Sequence, residues 1–346
     1  MRKNKAYFNL NKTAWENVSQ AGLLDAYTLI VRKKILGSLF SFCGKLQFSV
    51  FEDRLSRLQT QPHIVITGHW RSGTTYLHTL ICCDPQFTFP STDSCMNPHA
   101  FMLGSRHMKR REVKRPMDDV IVTSTSPQED EFALMALGAR SPYEGLMFPE
   151  SLETALSLAD IENLDERERK TWKETFRNFI KGVSLLGQGR PVVIKSPTHS
   201  CRLKAISDVF PNSRFIYMNR NPLEVFESTF RMWRSLFDLY SLGRPICDNA
   251  LREIILQNRI VMEKKFDEGE ALLPGRMVAH VDYQRLVDEP LQELRRIYVE
   301  LNIDPEYLSS KNILYQIEKN KRYRAQGSLP PAEWQRRVLS AWSDFM

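Results

Sequence analysis

The chain has 346 residues, 42% hydrophobic and 26% charged, which suits one large α/β domain or two modest ones with ample length for a core. Its 48 Lys and Arg against 41 Asp and Glu leave a net charge of +7, a balance that favours anionic ligands, an acidic surface or nucleic acid without choosing among them. Six cysteines form no C-x-x-C pair and no zinc spacing, and the charged N-terminus has no apolar signal core behind it, so a soluble, cytoplasmic protein is expected.

Residues 1–61 are predicted to be a helical extension that packs on the core, with apolar positions Leu23, Leu24, Tyr27, Ile30, Val31, Ile35, Leu39 and Phe42 at helical spacing. The stretch from Ile35 to Phe51 leans apolar but is broken by Gly37, Ser38, Ser41, Gly44, Lys45 and Gln47, too short and polar to span a bilayer. Arg32, Lys33 and Lys34 lie beside the apolar positions and leave a peripheral membrane contact open.

Residues 62–346 are expected to form the principal domain. Four short apolar runs read as buried parallel strands: His63–Gly68, Pro191–Lys195, Arg214–Asn219 and Met277–Val281. Helical patterns follow at Thr74–Cys83, His199–Phe210, Pro222–Phe237 and Leu286–Leu301. This alternation predicts an α/β fold, a doubly wound, mainly parallel sheet with its ligand site beyond the carboxyl ends of the strands. An interval of about residues 84–190 separates the first two strands, with helices at Pro149–Leu158 and Asp165–Leu186, and is expected to supply the acceptor pocket. Adjacent Cys82 and Cys83 are expected to be reduced thiols in a buried helix.

Chemistry concentrates where strands end. In "GHWRSGTTYLH" (Gly68–His78) two glycines allow a tight turn whose N–H groups can face an anion, and a helix start near Thr74 adds its positive end. Ser72, Thr74 and Thr75 bring hydroxyls, and Arg71 brings a planar cation. A triphosphate loop would have lysine at position 74 and a strand-end aspartate for Mg²⁺. Here later strands end instead in Lys195 and Arg220, with Ser228 eight residues beyond Arg220. The expected site holds a phosphate or sulfate and needs no metal. A P-loop kinase or nucleotide hydrolase is the second reading.

These residues resemble the sulfotransferases that use 3′-phosphoadenosine-5′-phosphosulfate (PAPS), especially the bacterial and tyrosylprotein types, whose fold is a P-loop-related three-layer sheet flanked by helices. The resemblance covers roughly residues 62–83 and 190–303. Arg71, Ser72, Gly73, Thr74 and Thr75 match the family's "[KR]-S-G-T-T" loop, which implies binding of the 5′-phosphosulfate. Arg220, Asn221, Pro222 and Ser228 match the motif that implies binding of the 3′-phosphate. Lys195 stands 220 − 195 = 25 residues before Arg220, as in the cytosolic "K-T-H" strand end, and Tyr283 corresponds to the "Y-E-D" strand near the adenosine.

The resemblance fails at the general base. The histidine of "K-T-H" corresponds to Pro197, which accepts no proton. Glu129 and Glu131, in the acidic first turn predicted after Pro127, are the leading candidates, with His199, Asp93 and His99 as alternatives, and an inactive nucleotide-binding relative stays open. The acceptor, whether small molecule, glycan, lipid or peptide tyrosine, is not readable from Phe87, Phe89, Met96, Phe101, Met102, Phe132, Met135, Tyr143, Met147 and Phe148, which suit either an apolar pocket or plain core. The basic run Arg106–Pro116 lacks interleaved aromatics, so nucleic acid is not expected. Arg322 and Arg324 are weak candidates for a segment over the 3′-phosphate.

Overall fold

All four predicted strands pair side by side in the computed structural model, which describes residues 9–21, 27–59, 61–104, 112–115, 118, 120–321 and 329–345. Residues 106–111 and 116 of the basic run, Leu23, Leu24, Arg322 and Arg324, and the side chains of Arg32, Lys33 and Lys34, lie outside the described residues. The chain divides into two compact units, each assembled from separate stretches of sequence. One comprises Met1–Gln59, Pro90–Gly189 and Arg231–Ile254; the other comprises Thr60–Phe89, Arg190–Phe230 and Ile255–Met346.

The second unit carries the main sheet. Strands β1 (Ile64–Thr67), β4 (Val193–Lys195), β5 (Arg214–Asn219) and β6 (Val278–Asp282) lie in the order β4-β1-β5-β6, all parallel; β2 (Val113–Lys114) and β3 (Ile121–Val122) form a separate antiparallel pair in the first unit. All four residues of β1 are buried, because helices cover a parallel sheet and apolar side chains are needed on its faces. Ile64, Ile66, Val193, Ile216, Met218, Ala279 and Val281 from the strands meet Leu77, Leu80 and Ile81 and, from the later helices, Leu286, Leu294 and Ile297 in one core. Since β1 has β4 on one side and β5 on the other, the chain reverses its winding beside β1, and the carboxyl ends there are the expected place for a ligand.

Three of the predicted helices are broken. His199–Phe210 resolves into a 3₁₀ turn, Pro197–Cys201, and a helix, Leu203–Val209, because Arg202 between them leaves the helical region at φ −132° and ψ 16°. Leu286–Leu301 resolves into Tyr283–Asp288 and Pro290–Glu300; Pro290 has no N–H to continue the first helix and so opens the second. Pro149–Ser151 is likewise a 3₁₀ turn ahead of the helix Leu152–Ser157. Cys82 and Cys83 lie past the last residue of α3 (Thr74–Ile81), half-buried rather than within a buried helix, and both are free thiols.

In the first unit, residues predicted as one helical extension form α1 (Lys12–Ala21) and α2 (Tyr27–Arg57). The buried amide of Gln47 donates to the Pro98 carbonyl at 2.6 Å and accepts from the Met102 N–H at 3.2 Å. Lys181, on the helix Glu166–Leu186, donates to the Leu55 carbonyl at 2.9 Å. A capping box opens that helix, with Asp165 accepting from the Glu168 N–H and Glu168 accepting from the Asp165 N–H.

Candidate active site

Between β1 and α3 the backbone takes a positive φ at three of six residues: Gly68 has φ 131°, Arg71 φ 69° and Gly73 φ 104°. Such alternation can turn backbone N–H groups toward one side, an arrangement that suits an anion. Glycine is needed at two of these positions for space as well as for backbone freedom. A Cβ on Gly68 would lie 2.7 Å from the Met218 carbonyl oxygen of β5, and one on Gly73 would lie 2.3 Å from Cδ2 of Tyr283. Gly73 also caps α3 with no side-chain hydrogen bond, so the helix presents its first N–H groups beside the loop.

The loop brings the predicted cations and hydroxyls together. Arg71 Nε donates to Ser228 Oγ at 2.9 Å, and Arg220 Nη1 donates to the Arg71 carbonyl at 3.3 Å. Arg220 also pairs with Glu224 through Nη2 at 2.6 Å, and its guanidinium lies 4.2 Å over the ring of Tyr283. Three segments far apart in sequence thus meet beside the glycine loop, bringing together two guanidiniums, a hydroxyl and an aromatic ring. Thr74 and Thr75 begin α3 at its rim, Thr74 buried and Thr75 half-buried. The Ser72 hydroxyl donates to the His69 carbonyl at 2.8 Å inside the turn. Lys195 pairs in register with Ile66 at the end of β4 and is buried, 2% exposed. Its charge lies close enough to His78 on α3 to help push that histidine down to about 3, although burial is the larger cause.

Several supports of the loop carry no motif and were missed in the sequence. Ser200 accepts from the Gly68 N–H at 3.2 Å and shares a hydrogen bond of 2.7 Å with Thr67. Thr229 donates to the Trp70 carbonyl at 3.1 Å. His69 is buried beside Trp70 and Trp342, with ring centroids 5.6 and 6.0 Å away. Burial, and then the charge of Arg259, holds it down at about 3 against the opposing effect of its hydrogen bond to the Trp70 carbonyl. Arg259 in turn pairs with Glu263 at 3.0 Å and lies 4.7 Å over Trp342, while Tyr217 of β5 donates to Glu263. The only sequence signal for this support was a cluster of aromatics near the C-terminus.

The base candidates differ in access. His199 lies in the 3₁₀ turn after β4 and is fully buried. In the first unit, Asp130 and Glu131 at the start of the helix Glu131–Ala136 are also fully buried, and Ser141 Oγ donates to Glu131 Oε1 at 2.6 Å. Glu129 keeps exposed surface, and the Tyr143 hydroxyl donates to its Oε2. His99 is stacked on Phe40 and bonded to the Asn9 carbonyl at 2.7 Å, while Asp93 accepts from Asn97 Nδ2 at 3.0 Å. Of the candidate pocket residues, Phe87, Phe101, Met102, Met135, Tyr143, Met147 and Phe148 are core, whereas Phe89, Met96 and Phe132 stay half-buried. Among the described residues no group of three or more His, Cys, Asp and Glu side chains could hold a metal ion.

Residues 62–306 match the profile of the Sulfotransferase family. The chain belongs to that family. Two curated relatives, the omega-hydroxy-beta-dihydromenaquinone-9 sulfotransferases Stf3 of Mycobacterium bovis and Mycobacterium tuberculosis, are each 33% identical to it over 273 residues, which span 78% of this sulfotransferase and 70% of theirs. The crystal structure of sulfotransferase STF9 from Mycobacterium avium superposes with a TM-score of 0.68 at 13% identity, covering 99% of this chain and 92% of that one. Sulfotransferase STF1 from Mycobacterium tuberculosis H37Rv gives 0.66 at 14% identity, covering 96% and 93%. At such identities these structures support the fold, an α/β sulfotransferase fold, and the family assignment stands on the profile and the curated relatives.

Proposed function

We propose that this sulfotransferase takes the sulfuryl group from PAPS and passes it to the hydroxyl of a long apolar alcohol, a lipid-like acceptor of the kind named for the Stf3 relatives. The observation that carries the donor assignment is the convergence of Arg71, Ser228, Arg220 and Tyr283 around a glycine loop. Two guanidiniums, a hydroxyl and uncapped helix N–H groups suit a ligand with two separate anionic groups, and an aromatic ring beside them suits a purine.

In this reading the loop N–H groups and Arg71 hold the phosphosulfate, and Arg220 with Ser228 holds the 3′-phosphate. Glu224, which pairs with Arg220 in the structure, gives up that guanidinium in part. Tyr283 lies against the adenosine. The donor supplies an activated sulfuryl group and a stable bisphosphate leaving group. Lys195 and Arg71 place positive charge where the departing oxygen gains negative charge, and losing such a group typically costs about 100–1000-fold in rate. Glu129 takes the acceptor proton, because it alone of Glu129, Asp130 and Glu131 keeps exposed surface, and Tyr143 fixes its orientation.

Thermal shift separates the donor classes. Adenosine 3′,5′-bisphosphate at ~100 times its dissociation constant should stabilise the protein by about 2.7 kcal/mol. A shift with ATP and Mg²⁺ but none with the bisphosphate overturns the reading. Label from [³⁵S]PAPS should then appear in a long-chain primary alcohol and be absent with Lys195→Ala.

A further inference from the structure

Helix α2 is apolar on two sides and buries only one of them. Its packing side is accounted for: Gln47 bonds to the chain at Pro98 and Met102, and a Cβ on Gly37 would come within 3.1 Å of Asn11, Lys12 and Trp15 of the α1 region. The other side shows Leu36, Leu39, Phe42, Leu46 and Val50, which are 45, 54, 63, 45 and 59% exposed. At about 100° per residue these five positions fall within an arc of about 120°, one continuous stripe roughly 20 Å long. Single exposed apolar side chains are ordinary on a protein surface, but five in register on one helix face are not.

Charge decides the occupant. From residue 32 to 57 the helix carries Arg32, Lys33, Lys34, Lys45, Arg54 and Arg57 against Glu52 and Asp53, so the segment has 6 − 2 = +4. Lys45, Arg54 and Arg57 are exposed, and Arg54 and Arg57, with the exposed Asp53 beside them, continue the direction of the stripe past Val50. An apolar stripe with cations beside and beyond it fits an interface of hydrocarbon and anionic headgroups, with the long cationic side chains reaching the headgroup level. A second copy of the chain meeting this face would set like charges against each other. No described helix is long and apolar enough to cross a membrane, so the stripe would lie in the plane of the surface.

We infer that the exposed face of α2 seats this sulfotransferase on an anionic lipid bilayer. The inference stands on α2 itself. Only its consequence, access to an acceptor dissolved in the bilayer, rests on the lipid-alcohol reading above.

The test is flotation of the full chain with vesicles of phosphatidylcholine containing phosphatidylglycerol, and with phosphatidylcholine alone. Binding is expected with the anionic vesicles and is expected to fall as salt is raised. The triple variant Leu39→Gln, Phe42→Ser, Leu46→Gln should reduce vesicle binding by about tenfold or more. It should keep the bisphosphate thermal shift and the sulfation of a short, water-soluble alcohol. The pair Arg54→Gln, Arg57→Gln should weaken binding to anionic vesicles and leave the fold intact, since both side chains are exposed. Absence of flotation by the unmodified chain, or equal flotation by the triple variant, overturns the inference. So does a change from dimer to monomer in sedimentation on introducing the triple variant, which would assign the face to a second copy. Loss of the bisphosphate shift in the unmodified chain with flotation intact would instead remove only the donor reading.

Discussion

Arg71 and Ser228, 157 residues apart, meet through a 2.9 Å hydrogen bond from the guanidinium Nε to the hydroxyl oxygen. Arg71 comes from the loop between β1 and α3 and Ser228 from the helix Pro222–Tyr240 that follows β5, and each would touch a different end of a doubly anionic nucleotide. Their contact would make the two proposed anion sites one structure. The two substitutions Arg71→Ala and Ser228→Ala should therefore weaken adenosine 3′,5′-bisphosphate binding non-additively, with a coupling of about 0.5–3 kcal/mol in a double-mutant cycle read by calorimetry. Strictly additive losses would mean that the two groups act on separate ligands.

Gly73 and Tyr283 depend on each other in a second way. Alanine at position 73 brings a Cβ to 2.3 Å from the tyrosine ring and also carries the cost of φ 104°, which glycine does not have. Gly73→Ala should lower stability by roughly 1–3 kcal/mol and abolish the bisphosphate shift. Combining it with Tyr283→Ala removes the clash and leaves the backbone strain. Urea denaturation should then show partial recovery of stability with no recovery of nucleotide binding.

Glu129 and Glu131 should separate by phenotype. Glu129→Gln is expected to lower kcat by about 100–10,000-fold while the donor KM changes little. Glu131 is fully buried against the Ser141 hydroxyl, so Glu131→Ala strands a donor and should cost about 1–3 kcal/mol of stability. Equal losses of kcat in the two variants, at equal stability, would refute the assignment of the base to Glu129.

Three buried histidines should make stability depend on acid. Burial holds His63 at about 4 and is the main cause that holds His69 and His78 at about 3, against 6.5 for an unperturbed imidazole. These folded values are depressed, so the unfolded chain binds more protons between roughly pH 6.5 and the folded values. The stabilisation is complete above pH 6.5 and is lost as pH falls. The slope approaches about 1.4 kcal/mol per pH unit for each histidine. His63 Nδ1 accepts from the Val192 N–H at 3.1 Å, an interaction that asparagine can imitate. Urea midpoints measured from pH 7 to pH 5 should fall less steeply in His63→Asn, by about one proton.

The sequence by itself determined the sheet and the position of the glycine loop after its first strand. Strand positions were legible because a parallel strand must be apolar on both faces, and Arg214–Asn219 is found at the residues expected. The loop was legible because its glycines, cations and hydroxyls are confined to one strand–helix junction. Helix breaks were less legible. Arg202 interrupts its segment through a backbone conformation that no local pattern announces, although Pro290 was a visible signal.

Only the tertiary structure decided how individual side chains are used. The Ser72 hydroxyl closes its own turn, while Ser200 and Thr229, which carry no motif, hold the loop in place. Glu129, Asp130 and Glu131 are chemically similar in sequence, and burial of the last two distinguishes them. The physical reason is common to all these cases. Periodicity and composition record which faces avoid water, whereas the partner of a polar atom is set by segments that meet only after the sheet has formed. The glycine at position 73 illustrates both levels: a loop glycine could be predicted, but the Tyr283 ring that forbids any larger residue there comes from 210 positions along the chain.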